Sequence, residues 1–284
     1  MDILFIDKDH VSYTADDVLK KLKDIGADDC ETLFIHSDVM FGSPGPGFNR
    51  KEYLYILYEV LESLKVKNII APTFTYSFCN HEDFDVRKSK TSMGAFNEFI
   101  RKQGNRYRTL DPLLSLSVPE NLKKHFQKIS NHSLGKDSGL DIVHNLDGVK
   151  FLFLGTRLGE CFTYLHYVEK MLDVPYRFDL AFNGTIINEL GEAYPSTQII
   201  HTGCYGVKIG ECHYFEDYLY EKGYLSKERL GDKQIACISE FDAYREIKYQ
   251  LEKDINYLLD QPFSEKDLVH KYTMGLDCGR ITHC

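Results

Sequence analysis

The chain has 284 residues, 43% of them hydrophobic and 27% charged, enough to bury one large core or a core with an appended lobe. With 43 acidic residues against 34 Lys and Arg, its net charge of −9 argues against a nucleic-acid backbone as the main partner. No window is apolar enough to span a membrane, and Met1-Asp-Ile-Leu-Phe-Ile-Asp lacks the basic start and long apolar run of a secretion signal, so a cytoplasmic location is expected.

Thr14-Ala-Asp-Asp17 reads as a helix start, with Val18, Leu19, Leu22 and Ile25 at helical spacing and Gly26 as the stop. Thr32-Leu-Phe-Ile-His36 is expected to be a buried strand. After Phe41-Gly-Ser-Pro-Gly-Pro-Gly47 comes a cap, Asn49-Arg-Lys-Glu52, opening a helix through about residue 64. Asn68-Ile-Ile-Ala-Pro72 is a second buried strand, and this order of elements is that of a parallel α/β unit. The loop from Gly42 to Gly47 aims backbone N–H groups and a helix dipole at a point suited to phosphate; the plain alternative is a Pro/Gly turn. His36 and Ser37 end the first strand where ligands collect in open α/β sheets, although a core histidine explains His36 equally well.

From Thr73 to about Leu110 the sequence is polar, aromatic and irregular, with a helix near Gly94–Arg101, and so long an excursion points to function. Thr73, Thr75 and Ser77 could donate hydrogen bonds to a thioester or amide carbonyl, or could satisfy backbone groups in a turn. Arg87, Lys88 and Lys90 beside Ser92-Met-Gly94 would hold phosphate, or form a solvated loop. In Arg108-Thr-Leu-Asp111-Pro112, Arg108 is suited to a phosphate or carboxylate and Asp111 to an ammonium, or the two pair with each other. A helix over about 120–129 and a strand over 148–155 follow.

Next comes Thr163-Tyr-Leu-His166-Tyr-Val-Glu169, in which residues three apart share a helix face. A histidine beside a carboxylate accepts a proton near neutral pH, which makes the pair a candidate general base. Beyond Pro175, short alternating runs with frequent Gly read as antiparallel strands, and amphipathic helices around 214–222 and 240–259 finish the chain. Glu160, Asp173 and Asp179 are acids that would suit a cationic ligand. Eight cysteines without a CxxC pair are expected as free thiols. Cys278, His283 and Cys284 fit no standard zinc spacing, so no metal is expected.

Five segments stand together in an order that resembles the aminoglycoside 3-N-acetyltransferase family over about residues 30 to 175. They are Phe34-Ile-His-Ser37 with Phe41-Gly-Ser43, Pro72-Thr-Phe-Thr75-Tyr76, Phe84-Asp85 with Thr91-Ser-Met-Gly94, Arg108 to Pro112 with Ser115, and Thr163 to Glu169. The acetyl-CoA signature of the GNAT enzymes is not found. The resemblance implies an α/β fold, a three-layer α/β/α core with a mostly parallel sheet and a smaller antiparallel lobe. It implies one acyltransferase domain over 1–284: a core with the CoA site to about 175, the lobe over about 176–235, and C-terminal helices over about 236–284.

It further implies transfer of an acetyl or longer acyl group from acetyl-CoA or another acyl-CoA to the amine of an amino sugar, by direct attack on the thioester. His166 with Glu169 would be the base, Asp111 an alternative to it, and Thr75, Ser115 and backbone N–H groups the oxyanion donors. His36, Ser37, Ser43, Thr73, Ser92 and Arg108 would lie along CoA. Members that confer antibiotic resistance read Arg-Ser-x-His-Pro where this chain has Arg108-Thr-Leu-Asp111-Pro112, so a nucleotide-linked amino sugar is expected ahead of an aminoglycoside drug. The expected partners are acyl-CoA and a small amino sugar, with neither nucleic acid nor membrane, and a homodimer is compatible. Two readings of other classes are a metal-dependent hydrolase using His36, His166, Asp85 and Asp111, and a non-catalytic binding protein.

Overall fold

Capping chemistry and apolar spacing account for the first elements. The computed structural model describes residues 2–271. Two short strands, β1 (Phe5–Ile6) and β2 (Ser12–Tyr13), precede α1 (Ala15–Asp24), whose N-cap Thr14 closes a capping box with Asp17. Then come β3 (Thr32–Ser37), β4 (Ser43–Pro44) and α2 (Arg50–Glu62), the last capped reciprocally by Asn49 and Glu52. After β5 (Asn68–Pro72), the long excursion carries β6 (Phe84–Asp85), α3 (Gly94–Arg101), β7 (Arg106–Arg108) and β8 (Leu116–Pro119). The helix expected over 120–129 is a 3-10 turn at Glu120–Leu122 and one α turn, α4 (Lys123–Phe126). Only Leu122 and Phe126 face the core there, so packing supports no more helix than that.

α5 (Gly139–His144) leads to β9 (Val149–Leu154), followed by α6 (Leu158–Cys161) and α7 (Tyr164–Met171). β10 (Arg177–Ile187) and β11 (Ala193–Gly203) form a long hairpin; α8 (His213–Glu221), β12 (Leu225–Leu230), β13 (Lys233–Ser239) and α9 (Glu240–Lys253) complete the set.

The large sheet has seven strands in the order β12-β13-β9-β3-β5-β8-β7. Its centre, β9-β3-β5, is parallel, and the strands on either side are antiparallel. Parallel neighbours need long crossovers, which α2 and the excursion supply, whereas the short β7–β8 and β12–β13 connections make antiparallel pairs. Side chains alternate across β3: Leu33 and Ile35 pack with α1 and α2, while Phe34 packs on the opposite face with Phe151, Phe153 and α7. Helices therefore cover both faces. Each fully buried Phe or Leu contributes about 1.5–3 kcal/mol, which holds the layers together.

The β10–β11 hairpin forms a separate small sheet with β6, which pairs with it at Ile186 and Ile187. The strands over 225–239, grouped by the sequence with this lobe, join the large sheet instead. Ile235 to Ile238 are all buried, as an interior strand requires. The smaller lobe is thus the antiparallel hairpin over 177–203, with β6 added in parallel at its edge.

Candidate active site

α7 follows β9 closely and puts His166 and Glu169 on one face, one turn apart. Glu169 is 1% exposed, and its charge is held by His166 on its own helix and by Tyr176 and Arg177 where β10 begins. Its Oε2 lies 2.7 Å from His166 Nδ1 and 2.7 Å from Arg177 Nε, and its Oε1 accepts the Tyr176 hydroxyl at 2.8 Å. Burial opposes ionisation of Glu169, but Arg177, His166 and Tyr176 outweigh it and bring its pKa down to about 2. Burial and the Arg177 charge lower the His166 pKa, against the opposing pull of Glu169. His166 is therefore neutral at pH 7. The carboxylate favours the proton on Nδ1, leaving Nε2 as the basic nitrogen. Arg177 Nη2 also lies 2.8 Å from Nδ1, and its fixed charge disfavours the imidazolium that protonation of Nε2 would create.

A third of the His166 side chain remains exposed, and it faces two adjoining cavities. The first, of about 360 Å³, runs past His36, Ser37, Met93, Asn97 and Glu160. The second, of about 470 Å³, is walled by the β10–β11 lobe through Arg177, Ile200 and His201, with Lys208 and Asp260 beyond. Tyr76, Thr163, His166 and Ile209 line both. Tyr76 takes a left-handed backbone (φ 52°), unusual for an aromatic residue, at this junction.

Of the residues expected along a cofactor, His36 and Ser37 reach the first cavity. His36 stacks on Phe153 with ring centroids 5.2 Å apart, and burial pushes its pKa down to about 3. Ser37 donates to Asn97 at 2.8 Å, and Asn97 donates to the Pro72 carbonyl. Ser43 is exposed on β4, paired to β1, and lines neither cavity. Ser92 is exposed with its hydroxyl donated to the Phe74 carbonyl. Within the Gly42–Gly47 loop, Ser43 and Pro44 are spent on the pairing with β1, and none of its residues lines either cavity.

Thr73, Thr75, Arg108, Asp111 and Ser115 are all buried and line neither cavity. Thr75 donates to the Pro112 carbonyl at 2.7 Å, Ser115 to the Thr73 carbonyl at 2.6 Å, and Thr73 to the Ser115 carbonyl at 3.0 Å. The Thr73 and Thr75 hydroxyls thus satisfy backbone groups, the alternative open to them from the sequence, and the Ser115 hydroxyl does the same. Arg108 donates to the Ser115 hydroxyl and to the carbonyls of Thr73, Val86 and Ser89. Burial pushes its pKa down to about 9, and it borders a small hollow shared with Arg87, Arg101, Lys102 and Arg106. Asp111 does not pair with Arg108. It accepts from the N–H groups of Leu113 and Leu114 and from the Ser133 hydroxyl, and burial raises its pKa.

Asp85 caps its own turn through the N–H groups of Arg87 and Lys88, so the four hydrolase candidates do not converge. Among the described residues no group of three or more His, Cys, Asp or Glu is placed to hold a metal; Cys278, His283 and Cys284 lie outside those residues. Among them, too, no helix is long and apolar enough to cross a membrane.

Sequence reasoning did not single out Tyr176, Arg177 or His201. Arg177 and Asp179 share one face of β10 by strand alternation, and Asp179 stands opposite His201 in the hairpin register, a signal that appears only once the pairing is known. Of the candidate acids, Glu160 lines the first cavity, Asp179 is bound by Lys170 and His201, and Asp173 occupies a turn after α7.

A family model described as aminoglycoside 3-N-acetyltransferase matches residues 61–252. Among solved structures, aminoglycoside acetyltransferase AAC(3)-IIb superposes with a TM-score of 0.71 at 16% identity, covering 87% of this chain and 98% of that one. Sisomicin-bound AAC-VIa gives 0.71 at 17%, covering 85% and 98%, and AAC-IIIb in a binary complex with CoASH gives 0.68 at 17%, covering 89% and 99%. YokD from Bacillus subtilis gives 0.67 at 15%, covering 86% and 94%. Among curated protein sequences none matches the chain.

Proposed function

The chain belongs to the aminoglycoside 3-N-acetyltransferase family, and from that premise we propose that it moves the acyl group of an acyl-CoA onto an amine of an amino sugar, with His166 as the base. The observation that carries this reading is the position of His166: backed by Glu169, it lines two cavities at their junction. A two-substrate transfer needs such a place, where donor and acceptor meet from different sides. The thioester enters by the first cavity, past His36 and Ser37, and the sugar by the second, against the lobe.

An amine attacks only when neutral, and its nitrogen must lose a proton as the C–N bond forms. His166 Nε2 takes that proton, and Glu169 balances the charge on the ring. The tetrahedral adduct then expels CoA thiolate as the C–S bond breaks, and the imidazolium returns its proton to the sulfur. Thr75 and Ser115 have their hydroxyls committed to carbonyls, so the oxyanion role passes in this proposal to Thr163, which lines both cavities one turn before His166.

Family membership supports an aminoglycoside-type acceptor. The sequence argument against it weakens, because Asp111 is sealed in a turn and touches neither cavity. A nucleotide-linked amino sugar remains the second reading, favoured by one observation: Lys208 lines the acceptor cavity as a further cation beside Arg177, which Glu169 already balances. Among the described residues no carboxylate pairs with Lys208, which suits a phosphate and repels a polycation. The test is mass-spectrometric detection of CoA and N-acylated product from acetyl-CoA, with sisomicin and with a uridine-diphosphate-linked amino sugar. Equal release of CoA and acylated sugar is expected from one of them. No turnover with any amino sugar, using acetyl-CoA or longer acyl-CoAs, overturns the proposal.

A further inference from the structure

His201 sits at the inner end of β11, 4% exposed, in the wall of the acceptor cavity. The hairpin register sets it opposite Asp179, and its Nδ1 lies 2.9 Å from Asp179 Oδ1. Asp179 is fixed in turn by Lys170 from α7, whose Nζ donates to both carboxylate oxygens at 2.9 and 2.8 Å. The His201 carbonyl accepts from Arg177 Nη1, the guanidinium that also anchors Glu169. The ring is thus held at both ends of its residue, with its orientation tied to the helix that carries His166.

The other ring nitrogen is different. Nε2 is buried and has no hydrogen-bond partner in the protein. Buried polar atoms are almost always paired, and an imidazole kept only for packing would have its second nitrogen capped by a neighbour. Burial, with Lys170 and Arg177 nearby, brings the ring's pKa down to about 4 despite Asp179. The ring is neutral at pH 7, its one proton lies on Nδ1 toward the carboxylate, and Nε2 offers a lone pair.

We propose that His201 is a specificity-determining residue whose Nε2 accepts a hydrogen bond from a hydroxyl or amine N–H of the acceptor sugar. This rests on the acyl-transfer reading above and deepens it. The acceptor must carry a donor group that reaches this nitrogen while its reacting amine sits at His166. Sugars methylated or deoxygenated at that position are discriminated against, because they leave Nε2 buried and unpaired.

The experiment compares wild type with His201→Ala, His201→Gln and His201→Asn, using whichever of sisomicin and the uridine-diphosphate-linked amino sugar wild type acylates. A glutamine amide reaches the place of Nε2, an asparagine amide only that of Nδ1. The acceptor KM should rise roughly tenfold in the Ala and Asn variants and recover in Gln, with the acetyl-CoA KM and Tm unchanged. Asp179→Asn, which no longer holds the proton on Nδ1, should reproduce the rise and serves if His201→Ala does not fold. An unchanged acceptor KM in the folded Ala or Asp179 variants overturns the inference. So does a joint fall in Tm and in affinity for both substrates, which marks a structural residue. If wild type acylates neither acceptor, it is the acyl-transfer reading that has failed.

Discussion

Arg177 lies 2.7 Å from the same Glu169 oxygen that faces His166 Nδ1, so one carboxylate balances a permanent cation and a transient one. The guanidinium keeps Glu169 ionised while lowering the proton affinity of the imidazole. Arg177→Gln should shift the acid limb of the kcat/KM profile to higher pH, because the charge that disfavours imidazolium is gone. It should also lower Tm, since truncating one partner of a buried pair typically costs about 3–5 kcal/mol. A pH–rate series with thermal melts of the same samples checks both, and an unmoved acid limb would show that Arg177 does not act on His166.

His166→Ala and Asp111→Ala should separate chemistry from architecture. Removing a general base costs about 10²- to 10⁴-fold in kcat and leaves Tm and acyl-CoA affinity near wild type. Removing Asp111 strands two N–H groups and a hydroxyl, each costing about 1–3 kcal/mol when buried and unpaired, so that variant should melt early. Its folded fraction should turn over at the wild-type rate. Single-turnover assays normalised to folded protein decide the matter, and a kcat loss in folded Asp111→Ala would restore that residue to the site.

Thr163→Val tests the oxyanion assignment. Loss of such a donor typically costs about 10²- to 10³-fold in kcat, with KM for both substrates little changed. A valine variant as fast as wild type would pass the role to backbone N–H groups.

Acid stability should be governed by histidines buried neutral. His36 has a folded pKa of about 3 against 6.5 when unfolded, and His201 about 4. Groups with depressed folded values contribute stability that is complete above the unfolded pKa and is lost as pH falls toward the folded one. Denaturant midpoints should therefore decline from about pH 6.5 toward pH 3–4, with Glu169 adding its loss between about 4.5 and 2. His36→Leu should flatten the upper part of that slope; an identical slope would assign the acid sensitivity elsewhere.

Local chemistry made much of the fold legible. The boxes at Thr14/Asp17 and Asn49/Glu52 are written in adjacent residues, as are the apolar runs at 32–36 and 68–72, and each produced its element. His166 and Glu169 were readable because helical spacing is itself a contact prediction. Arg177, Tyr176 and the His201–Asp179 pair depend on hairpin register and on how the lobe docks against α7, neither of which a linear pattern carries. The hydroxyl of Thr75 was undecidable for another reason: a turn and an oxyanion site ask for the same residue types. The strands over 225–239 were misplaced because alternating short runs look alike at a lobe and at a sheet edge.

In the central sheet β3 meets β5 early, but Thr32 also pairs with Val149, so the other edge of β3 must wait for β9. About two-fifths of the chain lies between them, and closing so long a loop is repaid only when the strands finally zip. Synthesis from the N-terminus therefore leaves one edge of β3 open and sticky until residue 154 has left the ribosome, and the base gains its Arg177 anchor later still. Lesions in this central seam should appear first as poor soluble yield at growth temperature, well before any change in turnover by the molecules that do fold.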